Sequence, residues 1–161
     1  CYFDGEKVVE NIPALVYVLG DEGSGAYIGK EVLKGYLNKE MDDSVLQKFE
    51  LKFKPSLDGI LDRVYKEALP NRYFASFAKW VGEEVENEKY LQEIVRKALD
   101  AFFKKHICKY ENHTELPLNV VGSIGYHFMH ILHQVAEKNN VKLGKVIKSP
   151  ISGLVKHHMD V

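Results

Sequence analysis

Two strand–turn–helix alternations near the end of the chain constrain its fold more than any other feature. Leu118-Asn119-Val120-Val121 reads as a short buried strand, Gly122-Ser123 breaks it, and a helix is expected to run on to about Asn139. Asn139-Asn140 stops that helix. Lys145-Val146-Ile147 is a second strand, and Ser149-Pro150 opens a final helix to about His158. Alternation of this kind is the signature of an α/β layer.

The rest of the chain has a different character. Residues 1–10 read as a β-hairpin around Asp4-Gly5, a two-residue turn signal between strand-like flanks. Ile12-Pro13-Ala14-Leu15-Val16-Tyr17-Val18-Leu19 then leads into the glycine-rich Gly20-Asp21-Glu22-Gly23-Ser24-Gly25. Helices are expected at about 26–38, 43–53, 57–68, 72–82 and 88–106, with Pro55 and Pro70 as breaks. The clearest is 88–106, where Leu91, Ile94, Val95, Ala98, Phe102 and Phe103 trace one stripe. Lys104, Lys105 and His106 in its last turn complement the helix dipole. The stretch of about 26–110 therefore looks like a mostly helical insertion in or beside the α/β layer.

Composition narrows the function classes. In 161 residues, 45% are hydrophobic and 28% charged, which excludes a disordered tail or a collagen-like rod. Lys+Arg 22 against Asp+Glu 23 leaves a net charge of −1, so no basic excess marks a nucleic-acid partner. No apolar run approaches the roughly 18 residues of a membrane span. Cys1 and Cys108 cannot build a disulfide framework, which favours a reducing, cytoplasmic setting. The chain begins at Cys1, already inside a hairpin, and a fragment lacking a preceding part is the expectation.

Several segments are able to carry chemistry. In the glycine-rich turn, glycines admit close approach of backbone to a ligand, and the following helix aims N–H groups at an anion or hydroxyl. Asp21 and Glu22 held there are suited to gripping sugar hydroxyls or to ordering a metal-bound water. The turn fits neither common nucleotide fingerprint, since Ile28 replaces the third glycine of one pattern, and Ser24 and Glu31 break the other. Asp and Glu placed for the dipole of a helix N-terminus are the plainer alternative. Gly122-Ser123, between strand and helix, is where α/β proteins hold phosphate or the sugar of a nucleotide. The alternative there is an ordinary turn with Ser123 as N-cap. His127, His130 and His133 drift about 60° per step round a helix, unlike the i, i+4 pair of a zinc helix, and no metal site is assigned. His157-His158 read as surface residues and Cys108 as a core thiol. Tyr73, Phe74, Phe77 and Trp80 form a stripe that reads as core, with Arg72 or Lys79 beside it within reach of a ligand.

Taken together, these segments resemble one family. Leu19-Gly20-Asp21-Glu22-Gly23-Ser24-Gly25-Ala26-Tyr27-Ile28-Gly29 is similar to the signature of N-acetylglucosamine kinases and BadF/BadG-type ATPases, members of the sugar kinase, actin and heat-shock chaperone superfamily. Arg72-Tyr73-Phe74-Ala75-Ser76-Phe77 resembles the family's adenine-side helix. The stretch from Val120 to Phe128 resembles its adenosine motif, and that from Ser149 to Leu154 its closing segment. The resemblance implies the C-terminal ribonuclease-H-like lobe of a two-lobe actin-like ATPase fold, which would place the N-terminal lobe outside this chain. It implies substrate contacts at Asp21, Glu22 and Gly20, nucleotide contacts at Gly122, Ser123, Ala75 and Ser76, and ATP with Mg as cofactors. It places the phosphate-binding glycine turns and the catalytic base outside these residues, so no catalytic residue is assigned here. Val16 departs from the family pattern, where many relatives have Gly, and this leaves the sugar open.

The implied function is an ATP-dependent kinase for N-acetylglucosamine or a related amino sugar, inactive as this lobe alone. Its partners would be the sugar, ATP and the other lobe, with a homodimer left open and neither nucleic acid nor membrane expected. An ATPase activator of a radical enzyme is a second reading, weakened by the lack of cysteine near the glycine turn. A non-catalytic nucleotide- or sugar-binding module is a third.

Overall fold

The computed structural model describes residues 1–159, without the side chains of Ser152 and His157. The expectation for His157 therefore lies outside the described residues. The chain divides into two compact units, one of Leu15–Ala98 and one of Cys1–Ala14 together with Leu99 onward. No helix among the described residues is long and apolar enough to cross a membrane.

The first unit is helical: α1 (Val16–Leu19), α2 (Gly25–Leu37), α3 (Asp43–Phe53), α4 (Leu57–Tyr65), α5 (Pro70–Glu84) and the first part of α6 (Lys89–Lys105). Its core depends on how closely α2 approaches α5. A Cβ on Gly29 would lie 1.8 Å from the backbone oxygen of Phe74, so only glycine lets these two helices meet at this point. Around that contact Ile28, Val32 and Leu33 of α2 bury against Phe74, Phe77, Ala78 and Val81 of α5. Next to it the rings of Phe49 and Phe53 on α3 meet Phe77 and Trp80, with centroids 4.8–5.7 Å apart, inside the range of favourable edge and offset contacts. The aromatic stripe of α5 is thus core, as its spacing suggests.

Two sequence expectations change here. Pro70 does not close α4, which ends at Tyr65; it opens α5 at the first helical position, where its missing N–H costs nothing. In α4 the helical spacing of Leu57, Ile60, Leu61 and Val64 suggests one apolar face, yet only Ile60 is buried, while Leu57 and Leu61 are exposed.

Electrostatics joins α3 to the end of α5 and to the residue that precedes α6. Lys48 Nζ lies 2.7 Å from Glu84 and 2.9 Å from Glu88, and the Ser44 hydroxyl donates to Glu88 at 3.0 Å. The Lys48 ammonium and then the Ser44 hydroxyl hold the Glu88 carboxyl below its ordinary value, against the opposing effect of its burial.

The second unit holds the strands. β1 (Tyr2–Phe3) and β2 (Val8–Glu10) are antiparallel, with Phe3 opposite Val8. The turn is wider than the two residues expected. Asp4 Oδ1 accepts from the backbone N–H groups of Glu6 and Lys7, both at 2.9 Å, and closes an Asx-type loop over residues 4–7. β3 (Leu118–Val121) and β4 (Leu143–Ile147) pair in parallel, joined through α7 (Ser123–His127) and α8 (Met129–Lys138). The register shifts between Leu118 and Val120, and Asn119 Oδ1 accepts from Lys145 N at 2.8 Å across the irregularity. The single helix expected over 123–139 is instead two, because Phe128 leaves the helical region at φ −104°, ψ 29°. α9 (Ile151–Met159) follows β4.

An ion-pair cluster ties the end of α6 to the end of α8. Asp100 lies 2.7 Å from Lys104 and 3.3 Å from Lys138, and accepts from Asn139 Nδ2 at 3.1 Å. Burial alone raises the Asp100 carboxyl, and these three donors together outweigh it and lower it.

Two outcomes follow. Gly29→Ala gains about 1 kcal/mol of helix propensity but meets a backbone atom, so it is expected to lose about 1–3 kcal/mol of stability in urea unfolding; a neutral or stabilised variant contradicts the close approach. Because the Glu88 carboxyl is depressed in the folded state, its contribution is complete above the ordinary glutamate value of about 4.3 and is lost as pH falls through the lower folded value. Glu88→Gln is therefore expected to flatten the acid limb of a stability–pH profile, and an unchanged acid limb would refute the coupling.

Candidate functional site

The glycine-rich turn sits between α1 and α2 in the helical unit. Leu15 and Val16 enter it with φ of 53° and 57°, a left-handed conformation that is strained for a β-branched side chain. Val16 thus occupies a backbone conformation that suits glycine better than valine. Val16, Val18 and Leu19 are 68%, 71% and 76% exposed.

The turn itself is tightly specified. Asp21 is left-handed at φ 70°, which Asp tolerates better than most residues. Gly23 follows at φ 77°, the positive value that the third position of a type II turn requires. Ser24 N donates to Asp21 O at 3.0 Å and closes the turn. Ser24 is the N-cap of α2, its hydroxyl oxygen accepting from Tyr27 N at 3.0 Å. The same hydroxyl donates to Asp21 Oδ2 at 2.7 Å.

The two carboxylates differ. Asp21 is half-buried and reaches solvent, whereas Glu22 is only 7% exposed and no buried side-chain polar atom among the described residues lacks a partner. Gly20 is buried, and its N–H donates to Val16 O at 2.8 Å. Asp21 is therefore the acceptor presented outward, with Glu22 packed beneath it.

Ala75 and Ser76 lie on α5, the helix that packs on α2, and both are exposed. The Ser76 hydroxyl donates to Tyr73 O at 2.6 Å within its own helix. Arg72 and Lys79 on α5 are also exposed.

Gly122 and Ser123 belong to the α/β unit. Gly122 N donates to Ile147 O at 2.9 Å, so this residue continues the β3–β4 pairing before the chain turns into α7. Its φ of 139° and ψ of 160° fall in a region that is essentially glycine-only. Gly122, not Ser123, is the N-cap of α7, and the exposed Ser123 is the first helical residue. Gly125 is fixed by packing, since a Cβ there would lie 2.5 Å from Val120 Cγ1.

The remaining sequence candidates are placed plainly. His127, His130 and His133 are exposed, and His130 Nε2 pairs with the Gln134 amide at 3.0 Å. Cys108 is half-buried, its Sγ 3.9 Å from Asn139 Oδ1, and burial pushes the thiol up from its ordinary value. A cavity of 680 Å³ in the α/β unit is lined by Tyr2, Phe3, Phe102, Tyr110, Leu118 and Val120 among others, and by none of the seven candidate residues.

The feature that the sequence reading passed over is Ser24. Its signal was present: Ser immediately before an apolar-periodic helix is a standard N-cap. Its second bond, back to Asp21, depends on the left-handed turn and has no signal in residue spacing.

No family model and no curated protein matches the sequence. Among solved structures, the chain is similar to a candidate N-acetylglucosamine kinase from Porphyromonas gingivalis, with 31% identity and a TM-score of 0.92 over 99% of this chain. The chain spans 56% of that protein's length. The likeness ties this α/β and helical arrangement to a sugar-kinase structure.

The glycine-only backbone at residue 122 has a direct test. Gly122→Ala is expected to cost about 1–3 kcal/mol of folding stability, although nothing lies within 4 Å of the added methyl. A fully stable variant would show that the backbone there relaxes without penalty.

Proposed function

We propose that the chain forms the C-terminal, ribonuclease-H-like lobe of an ATP-dependent kinase for N-acetylglucosamine or a closely related amino sugar. The observation that carries the reading is the likeness over 99% of the chain to a candidate kinase for that sugar. The site geometry supports it. An outward-facing carboxylate, Asp21, stands on a rigid turn at the start of α2, and carboxylates are suited to accepting hydrogen bonds from sugar hydroxyls. In this reading Asp21, Glu22 and Gly20 form the sugar side. Gly122 and Ser123 line the nucleotide side at a strand–helix turn, with Ala75 and Ser76 near the base.

The reaction would be attack of a sugar hydroxyl oxygen on the γ-phosphorus of ATP. The bond from that phosphorus to the β,γ-bridging oxygen breaks, the hydroxyl proton passes to a general base, and the products are a sugar phosphate and ADP. Phosphoryl transfer is driven by positioning and by charge stabilisation at the phosphates. The residues of this chain would bind and orient the sugar, and no residue here is assigned as the base. Closure over the bound substrates would exclude water, which otherwise competes with the sugar for the γ-phosphate. Mg²⁺ in such reactions is held by one or two carboxylates together with the nucleotide phosphates, and no residue of this chain is assigned to it. Exposed apolar side chains at Phe3, Val8 and Val9, and at Ile151, Leu154 and Val155, are the kind of surface that a second lobe covers.

The intact protein is expected to phosphorylate N-acetylglucosamine with ATP. Asp21→Ala is expected to lower kcat/KM about tenfold to a hundredfold, the range for losing a hydrogen bond to a charged group, with the unfolding midpoint little changed. Full activity of the variant would remove Asp21 from the site. No ATP-dependent phosphorylation of any amino sugar by the intact protein would overturn the kinase reading.

A further inference from the structure

We infer that Ser24 is the positioning residue for Asp21, holding Oδ2 so that Oδ1 is the oxygen presented to a ligand hydroxyl. The inference rests on the reading that Asp21 meets the ligand. A helix N-cap needs only an acceptor, and Ser24 provides it to Tyr27 N at 3.0 Å. That bond occupies a lone pair of Oγ, and the single hydroxyl proton is then directed to Asp21 Oδ2 at 2.7 Å. The distance is that of a charge-assisted hydrogen bond.

Ser24 holds the other end of Asp21 as well. Its backbone N–H donates to Asp21 O at 3.0 Å, which pins the residue in its left-handed conformation at φ 70°. One residue therefore fixes both backbone and side chain of Asp21, and it is itself fixed by α2. Asp21 Oδ1 makes no bond to the described residues. A carboxylate held in this way favours a single hydroxyl donor on Oδ1. A fork-like contact to two neighbouring hydroxyls would have to share Oδ2 with Ser24.

Three variants of the full-length protein separate this role from simple capping. Gly is nearly as good an N-cap as Ser but has no hydroxyl, Ala is a poor cap, and Thr keeps both functions. Positioning predicts that Ser24→Ala and Ser24→Gly weaken N-acetylglucosamine binding alike, roughly tenfold or more, through KM rather than kcat. Ser24→Thr is expected to restore it. Capping alone predicts that Ser24→Gly binds like the parent, and that result overturns the inference. Far-UV circular dichroism shows whether each variant is folded.

A second readout needs no ligand. The Hα–Hβ couplings of Asp21 in NMR spectra are expected to report one side-chain rotamer in the parent and in Ser24→Thr, and averaging in Ser24→Ala and Ser24→Gly. If these couplings behave so while no amino sugar binds the parent, the kinase reading fails and the positioning role stands. Averaged couplings in the parent overturn the positioning role whatever the ligand.

Discussion

The approach of Gly29 on α2 to the Phe74 carbonyl on α5 is the constraint on which the helical unit depends. Any side chain at residue 29 would separate the two helices, and with them Ile28 and Val32 from Phe77 and Val81. Separation at a close-packed contact opens a void that surrounding side chains fill only in part. The same contact bears on the proposed site. α2 carries the glycine-rich turn at its N-terminus, and α5 carries Ala75 and Ser76. The elements proposed for the sugar side and for the base side of the nucleotide are thus held by one glycine.

The glycine-rich turn shows how local chemistry fixes the carboxylate of Asp21. Its order does not come from glycine flexibility alone. Asp21 and Gly23 supply the positive φ values, and Ser24 locks the turn through two side-chain bonds and one backbone bond. The result separates two adjacent carboxylates by environment, with Glu22 buried and Asp21 reaching solvent. At the other turn, Gly122 reaches a similar end by different means. It continues the strand pairing through its N–H and adopts a backbone conformation closed to other residues, which frees the start of α7.

The helical unit was legible where apolar periodicity was strong. α3 (Asp43–Phe53) and α6 (Lys89–Lys105) follow the expected limits of 43–53 and 88–106 closely because Val45 and Phe49, and Leu91, Val95 and Ala98, bury one face of each helix. The strand–turn–helix pattern at the end of the chain likewise foretold β3 and β4. Errors arose where local geometry overrides pattern. Pro70 looked like a stop, yet a proline at the first helical position is equally a start. Phe128 is apolar and in phase, so nothing in the spacing marks the break between α7 and α8. The resemblance of the Gly20–Gly25 turn to a kinase signature singled out the segment proposed for the sugar side. It gave no warning that Glu22 would be buried, because burial depends on packing and not on the motif.

Amide hydrogen exchange of the full-length protein tests the division into a sugar side and a nucleotide side most directly. Addition of N-acetylglucosamine alone is predicted to slow exchange at residues 20–24 and to leave Gly122 and Ser123 unchanged. A non-hydrolysable ATP analogue alone is predicted to slow exchange at Gly122 and Ser123 and along Ala75 and Ser76. Protection of residues 20–24 by the nucleotide analogue, with no response there to the sugar, would contradict the account.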